Sequence, residues 1–453
     1  MEGGSGTEGT ESTGSTESTE GTESSESVEV VAAETFARVA ALDIGKSSLV
    51  ACVRTPPEQA GRGGRGGRGR RRQVVREYVT LMPRLLELAD WLRVEQVEVV
   101  AMEATSDYWK PVFYLLEAEG LTPWLCNAKH VKNVPGRAKT DRADAVWLAK
   151  VIERGMCGPS LVHPKPIRQL RDLTRYRRSL IRDQTREKQR LEKLLEDAQI
   201  KLSSVVSDIF GVSGRRMLSA MITGERDPGV LAEMAKGAMR RKIPVLVEAL
   251  SGHFEDHHAF LAKTMLDRID ELSFQIDVVS ARIEDVMEPF RWALDALDGI
   301  PGVARRAAED LIAEIGLDMT RFPTAGHLVS WAKFAPIERS SAGRAKPART
   351  QQGNPWIGGV LGEIVAAAAR TDTFLGERYR RLARRCGTSR AIVALGNSVL
   401  KIVWHLLSVP GTQYVELGSD YHQSRINQAK HKRHLIRELE KLTGSKVTLT
   451  PAA

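Results

Sequence analysis

Between residues 38 and 157, apolar runs of strand length alternate with amphipathic runs of helical period, and no other feature restricts the fold as strongly. ARVAALDI, SSLVACVR and VVREYVTL read as three successive strands. PRLLELADWLRVEQ then reads as a helix, VEVVAMEA as a buried strand, and DYWKPVFYLLEAEG as a helix ended by Gly120. LTPWLCN follows as a strand and DRADAVWLAKVIERG as a helix ended by Gly155. Strands first and then strand–helix alternation indicate an α/β domain over 36–157.

The flanking segments differ in kind. Residues 1–35 are a Gly/Ser/Thr/Glu repeat without the apolar content for a core, which predicts a disordered acidic tail. The Gly/Arg-rich piece 54–73 interrupts the first strands as a long hairpin loop. Its arginines Arg62, Arg65, Arg68, Arg70, Arg71 and Arg72 make either a nonspecific nucleic-acid arm or a solvated insertion. Residues 158–292 hold two long stretches with Leu and Ile at three- and four-residue spacing, 166–205 and 259–290. They suit a helical arm, either a dimerising coiled coil or a plain hairpin. LDALDGIPGVARRAAEDLIAEIG opens a helix–turn–helix that begins a mostly helical domain over 293–410, and a basic tail closes the chain over 411–453.

Charge narrows the partners. Residues 1–37 contain nine Glu and neither Lys nor Arg, so the chain from Arg38 onward carries a formal +18 against +9 for the whole. Such an excess favours phosphate backbones. The four cysteines lack the paired spacing of a zinc site or a disulfide framework, which suits reduced thiols in the cytoplasm. No run approaches the roughly 18 uninterrupted apolar residues of a membrane span.

Four acidic residues stand where a solvated surface does not explain them. Asp43 ends the strand VAALDI, Glu103 ends VEVVAME, and Asp141 and Asp144 open a helix three residues apart, on one face. A carboxylate at the end of a buried strand is costly unless it is paired or binds a cation. Converging carboxylates suit Mg²⁺, a hard ion that prefers oxygen ligands. Each position also has a plainer reading: Asp141 as a helix cap, Asp43 as a turn residue, Glu103 as the partner of a lysine. Taken together, in a strand–helix order fitting an RNase H-like sheet, they point to a metal site that acts on phosphodiesters.

With these residues in view, the chain resembles the DEDD transposases of insertion-sequence family 110, bridge-RNA-guided recombinases. The resemblance is carried by ALDIGKSSLVACV, AMEATSDYWKP, NAKHVKNVPGRAKTDRADAVWLAK, GIPGV, FAPIERSSAG and QGNPW, in family order over most of 38–410. It implies a RuvC-like domain whose acidic positions fall on Asp43, Glu103, Asp141 and Asp144. It further implies a coiled-coil arm and a transposase domain with a catalytic serine. In APIERSSAG that serine is Ser341, with Ser340 as the alternative, because Ala342 stands where many members have Gly. NPWIGG has Gly358 or Gly359 where many members place an arginine, which leaves phosphate contacts to Arg339, Arg344, Lys346 or Arg349. The implied activity is excision and insertion of a mobile element through a covalent serine–DNA intermediate. Mg²⁺, donor and target DNA, a structured guide RNA and a homodimer or homotetramer accompany it, without a membrane. Two rivals remain on sequence grounds: a metal-dependent Holliday-junction nuclease using the carboxylates alone, and a non-enzymatic nucleic-acid-binding protein.

Overall fold

The computed structural model describes residues 36–57, 71–104, 106–127, 140–341, 344–349, 352–425 and 428–448, with the backbone alone described for 337–349 and 428–431. The acidic tail, the insert's Arg62, Arg65, Arg68 and Arg70, and the segment preceding Thr140 lie outside the described residues. The chain divides into two compact units, Met1–Val162 and His163–Ala453.

In the first unit the three apolar runs form β1 (Val39–Ile44), β2 (Ser48–Thr55) and β3 (Arg72–Val79), antiparallel neighbours in one sheet. Helix α1 (Met82–Val94) leads to β4 (Val99–Glu103), and α2 (Trp109–Ala118) leads to β5 (Pro123–Cys126). The strand order is β3-β2-β1-β4-β5, with β1, β4 and β5 parallel. Helix α3 (Asp141–Glu153) follows.

Alternation along β1 sorts the core into two layers. Ala40 and Leu42 join Val100, Met102 and the apolar stripes of α1 and α2 on one face. Val39 and Ala41 join Cys52, Val99, Ala101 and Cys126 beneath Ala145, Leu148, Ala149 and Ile152 of α3 on the other. The turn after α2 uses Gly120 at φ +76°, a left-handed conformation in which a side chain would be strained.

The second unit is mostly helical: α4 (Lys165–Asp197), α5 (Leu202–Val205), α6 (Val212–Ile222), α7 (Pro228–Glu233), α8 (Ile243–Leu250) and α9 (Asp256–Met287). Then come α10 (Arg291–Asp298), α11 (Arg305–Ile315) and α12 (Ala325–Trp331). A two-stranded hairpin, β6 (Ile337–Ser341) and β7 (Arg344–Arg349), precedes α13 (Pro355–Ala368), α14 (Phe374–Cys386) and α15 (Thr388–Ser408). Short α16 (Tyr421–Ser424) and basic α17 (Gln428–Thr443) end it.

The two long helical stretches fold back on each other within the chain. Leu180 packs with Leu272 and Ile276, the Gln184 amide donates to the Ser273 hydroxyl at 2.7 Å, and Arg268 approaches Glu187. Ascending numbers on α4 meet descending ones on α9, so the arm is an antiparallel hairpin. The helices between them bury Met217, Leu218, Leu231 and Leu246 with Leu191, Leu195 and Ile269 in a cluster of their own.

Helix α11 is buried over its whole second half, carboxylates included. Arg177, 2% exposed, reaches Glu309 at 2.6 Å and Asp310 at 3.3 Å, while Arg178 reaches Asp310 at 2.6 Å and Glu363 at 3.0 Å. Arg175 makes a two-pronged pair with Glu314 at 2.7 and 2.8 Å. Removing one partner from so buried a set strands the other, at a cost of about 3–5 kcal/mol.

Burial lifts Asp310 despite its two arginines. It opposes, without overcoming, the Arg175 and Arg171 charges and the Asn354 amide that hold Glu314 low. Part of the basic excess is therefore spent inside the fold rather than on a partner.

Helix α15 is long and apolar enough to cross a membrane by composition. Its Ala391, Leu395, Val399, Leu400, Val403, Leu406 and Leu407 are buried within the helical unit, which accounts for that composition as core packing.

Candidate active site

The acidic positions of the first unit are arranged by the sheet. Residues 39, 41 and 43 alternate to the face that α3 covers, and so do 99, 101 and 103. Parallel pairing sets Leu42 level with Met102, so Asp43, one residue before the end of β1, and Glu103, the last of β4, lie side by side on that face with their strands about 5 Å apart. Both are half-buried, and each has a polar or electrostatic partner.

Helix α3 approaches the same edge. Its last residue, Glu153, pairs at 2.6 Å with Arg54, which lies opposite Val39 at the far end of β1 from Asp43. Twelve residues of helix span roughly 18 Å and four of strand roughly 13 Å, so the first turn of α3 lies toward the end of the strands where Asp43 and Glu103 stand. Thr140 caps that turn, its hydroxyl accepting from the Ala143 amide. The capping role open to Asp141 therefore belongs to Thr140. Asp141 is exposed and Asp144 half-buried, both in the first turn, where the helix dipole favours negative charge.

Asp43 and Glu103 thus share one sheet face, and the helix that carries Asp141 and Asp144 packs over that face. Among the described residues, no three His, Cys, Asp or Glu side chains are gathered closely enough to hold a metal ion by themselves. The donors are nonetheless of the kind Mg²⁺ takes, since that ion commonly uses one or two carboxylates and completes its shell with water and substrate phosphate.

Beneath α3, burial pushes the Cys52 thiol up to about 11, offset in part by Arg54. Cys126, level with Glu103, shares a hydrogen bond with Cys157. That bond and burial raise Cys126, while the same bond lowers Cys157.

Arg71 and Arg72 leave the insert and enter the fold. Arg72 opens β3 and reaches Glu95 at 2.7 and 3.2 Å, and Arg71 approaches Glu153 at 3.5 Å. The Arg72 hydrogen bond holds Glu95 below the usual carboxylate range despite burial. Both arginines brace the sheet.

In the second unit the hairpin places Ser341 opposite Arg344, Ser340 opposite Ala345 and Arg339 opposite Lys346, with Ile337 opposite Arg349 beyond an irregularity in register. Ser340 and Ser341 thus sit at successive positions at the end of β6, with Arg344 and Lys346 on the facing strand. The GIPGV turn is packed rather than open. Gly302 adopts φ +90°, and a Cβ there would stand 2.5 Å from the Ile364 carbonyl of α13.

QGNPW likewise serves the fold: Asn354 caps α13 by accepting from the Trp356 amide and donates to Glu314 at 2.6 Å. Arg182 and Arg175 lie over the Trp356 ring, at 4.9 and 5.4 Å from its centroid. Gly358 and Gly359 fall in the first turns of α13, where the Arg178 guanidinium lies 3.9 Å from a Cβ built at Gly359. Sequence reasoning missed these arginines of α4, whose roles depend on helices more than a hundred residues away.

Comparison with known families gives two matches. The Transposase family model of IS110-type DEDD proteins matches residues 40–200, which contain Asp43, Glu103, Asp141 and Asp144. The Transposase IS116/IS110/IS902 family model matches residues 294–380, which contain the serine hairpin. No curated protein matches the chain. Two matches from one family, in order and together taking in more than half of the residues, establish that the chain belongs to the IS110 family of transposases and is a DNA transposase.

Proposed function

We propose that this transposase excises and inserts its element by strand exchange through a covalent serine–DNA intermediate, using a RuvC-like, RNase H-like carboxylate domain and a structured guide RNA. The observation that carries the reading is the register of β1 and β4, which sets Asp43 beside Glu103 on the face that α3 approaches with Asp141 and Asp144. A three-stranded antiparallel run followed by two parallel crossovers supports the RNase H-like assignment.

Asp43, Glu103, Asp141 and Asp144 would hold Mg²⁺, which when bound supplies positive charge to the phosphate undergoing attack. The four side chains would supply oxygen ligands for that ion.

The Ser341 hydroxyl, or Ser340 in the alternative assignment, attacks phosphorus. One Oγ–P bond forms as one P–O bond to deoxyribose breaks, and the serine proton leaves with the departing hydroxyl. The number of phosphoester bonds is conserved, so attack by a second strand's hydroxyl reseals DNA without ATP. Arg339, Arg344, Lys346 and Arg349 flank the serine in sequence and supply charge for phosphate. Two duplexes must be held at once, which calls for a homodimer or homotetramer.

The carboxylate part of the reading is tested with Asp43→Asn and Glu103→Gln in a strand-exchange assay containing donor, target, guide RNA and Mg²⁺. Each variant is expected to lose at least ~100-fold in rate while melting no lower than the parent, because a neutral amide relieves like-charge crowding. Parental rates that also resist chelator would overturn the metal assignment.

A further inference from the structure

Helix α14 carries Arg378, Arg380, Arg381, Arg384 and Arg385 against a single acid, Glu377. Glu377 serves Arg380 at 3.3 Å and Arg384 at 3.7 Å, and Arg380 also reaches Asp372 and the Thr371 carbonyl. Arg378 and Arg381 are treated differently. Both are half-buried and three residues apart, so they share a helix face. Among the described residues Arg378 donates only to the Ser398 hydroxyl of α15, at 3.1 Å. The Nε of Arg381 is shielded from solvent and has no acceptor among the described residues. No carboxylate pairs with either among the described residues. Burial first, and the neighbouring Arg381 charge second, disfavour the charged form of Arg378.

Two like charges partly withdrawn from water, with a shielded donor left unmet, are costly in isolation. Half-buried Arg175 and Arg178 of the same unit end on carboxylates instead. The missing member here is an anion with several acceptor oxygens, and a paired guanidinium fork fits a tetrahedral phosphate. We propose that Arg378 and Arg381 clamp a backbone phosphate of duplex DNA on the α14–α15 surface. The identity of the phosphate's source rests on the DNA transposase assignment; the anion site itself does not.

The test uses the full-length protein with Arg378→Gln, Arg381→Gln, the double variant, and Arg380→Gln as an acid-paired control. Affinity for a duplex fragment is measured across a salt series, and melting is followed without nucleic acid. The double variant is expected to bind about tenfold more weakly and to lose about 1–2 from the log–log salt slope, at about 0.9 per phosphate contact. Arg381→Gln is expected to melt no lower than the parent, because a merely structural arginine would lower melting when removed.

Should the double variant fail to fold, Arg381→Lys decides: it keeps the charge and loses the fork, so it should keep the slope and lose affinity. A parental slope and affinity in the folded double variant, or in both folded single variants, overturns the clamp. So does a lowered melting temperature in Arg381→Gln with an unchanged slope. An RNA hairpin whose slope responds while that of duplex DNA does not overturns the DNA assignment. Inorganic phosphate alone stabilising the parent, without any change in DNA binding by the variants, overturns it as well.

Discussion

At the scale of single residues, ionisation is governed by what each group is buried beside. His163 is 4% exposed, with its Nε2 3.2 Å from the Glu314 carbonyl. Burial, then the Arg171 charge, lower its pKa to about 4. An unfolded histidine titrates near 6.5, so between pH 6.5 and 4 the unfolded chain binds more protons than the folded one, and stability rises with pH there. The contribution is complete above pH 6.5 and is lost as pH falls toward 4; it is on the order of 3 kcal/mol.

His163→Gln keeps a donor for the carbonyl and removes the titration. Its melting temperature should fall less steeply than the parent's from pH 6.5 to pH 4. Parallel profiles would show that His163 is not the titrating group.

The carboxylates were legible as residues because strand ends and a helix start are visible in the apolar pattern. The roles of Arg71 and Arg72 were not, since their partners Glu153 and Glu95 lie on other elements. Neither was the unmatched pair Arg378 and Arg381, which stands out from its arginine-rich helix only when the carboxylates nearby are assigned.

At the scale of elements, α4 and α11 form the most demanding contact in the helical unit. The Leu and Ile spacing of α4 announced a long helix with an apolar stripe, and the structure bears that out. The same spacing did not reveal that Arg171, Arg175, Arg177 and Arg178 would meet buried acids of α11, because charge on a helix reads as a solvated face until its partner is known.

Arg177→Met is expected to destabilise the protein by about 3–5 kcal/mol, measured by denaturant unfolding. Adding Glu309→Leu should recover part of that loss, since the stranded carboxylate is then removed. Additive losses in the double variant would show that the pair is not coupled. The β6–β7 hairpin escaped the sequence reading for another reason. IERSSAGRAKPAR lacks apolar alternation and contains Pro347, which cannot donate to a ladder.

At the scale of the whole molecule, part of the basic charge is paired with acids inside the fold, and the Gly/Arg insert is proposed to meet nucleic acid with the rest. Deleting Gly61–Arg70 removes Arg62, Arg65, Arg68 and Arg70 while sparing the sheet-bracing Arg71 and Arg72. DNA binding should weaken for all sequences alike, with the salt slope falling by up to about 0.9 for each arginine that neutralises a phosphate. Target preference should survive, because a Gly/Arg segment has no fixed geometry for reading base edges. An unchanged slope would make the insert passive.

A covalent serine intermediate is detected by trapping protein–DNA adducts under denaturing conditions, with guide RNA and Mg²⁺ present, from the parent, Ser341→Ala and Ser340→Ala. An adduct is expected from the parent and from Ser340→Ala, and none from Ser341→Ala. An adduct lost only in Ser340→Ala would move the nucleophile by one residue. Adducts that persist undiminished in both variants, or strand cleavage by the parent without any adduct, would contradict the account.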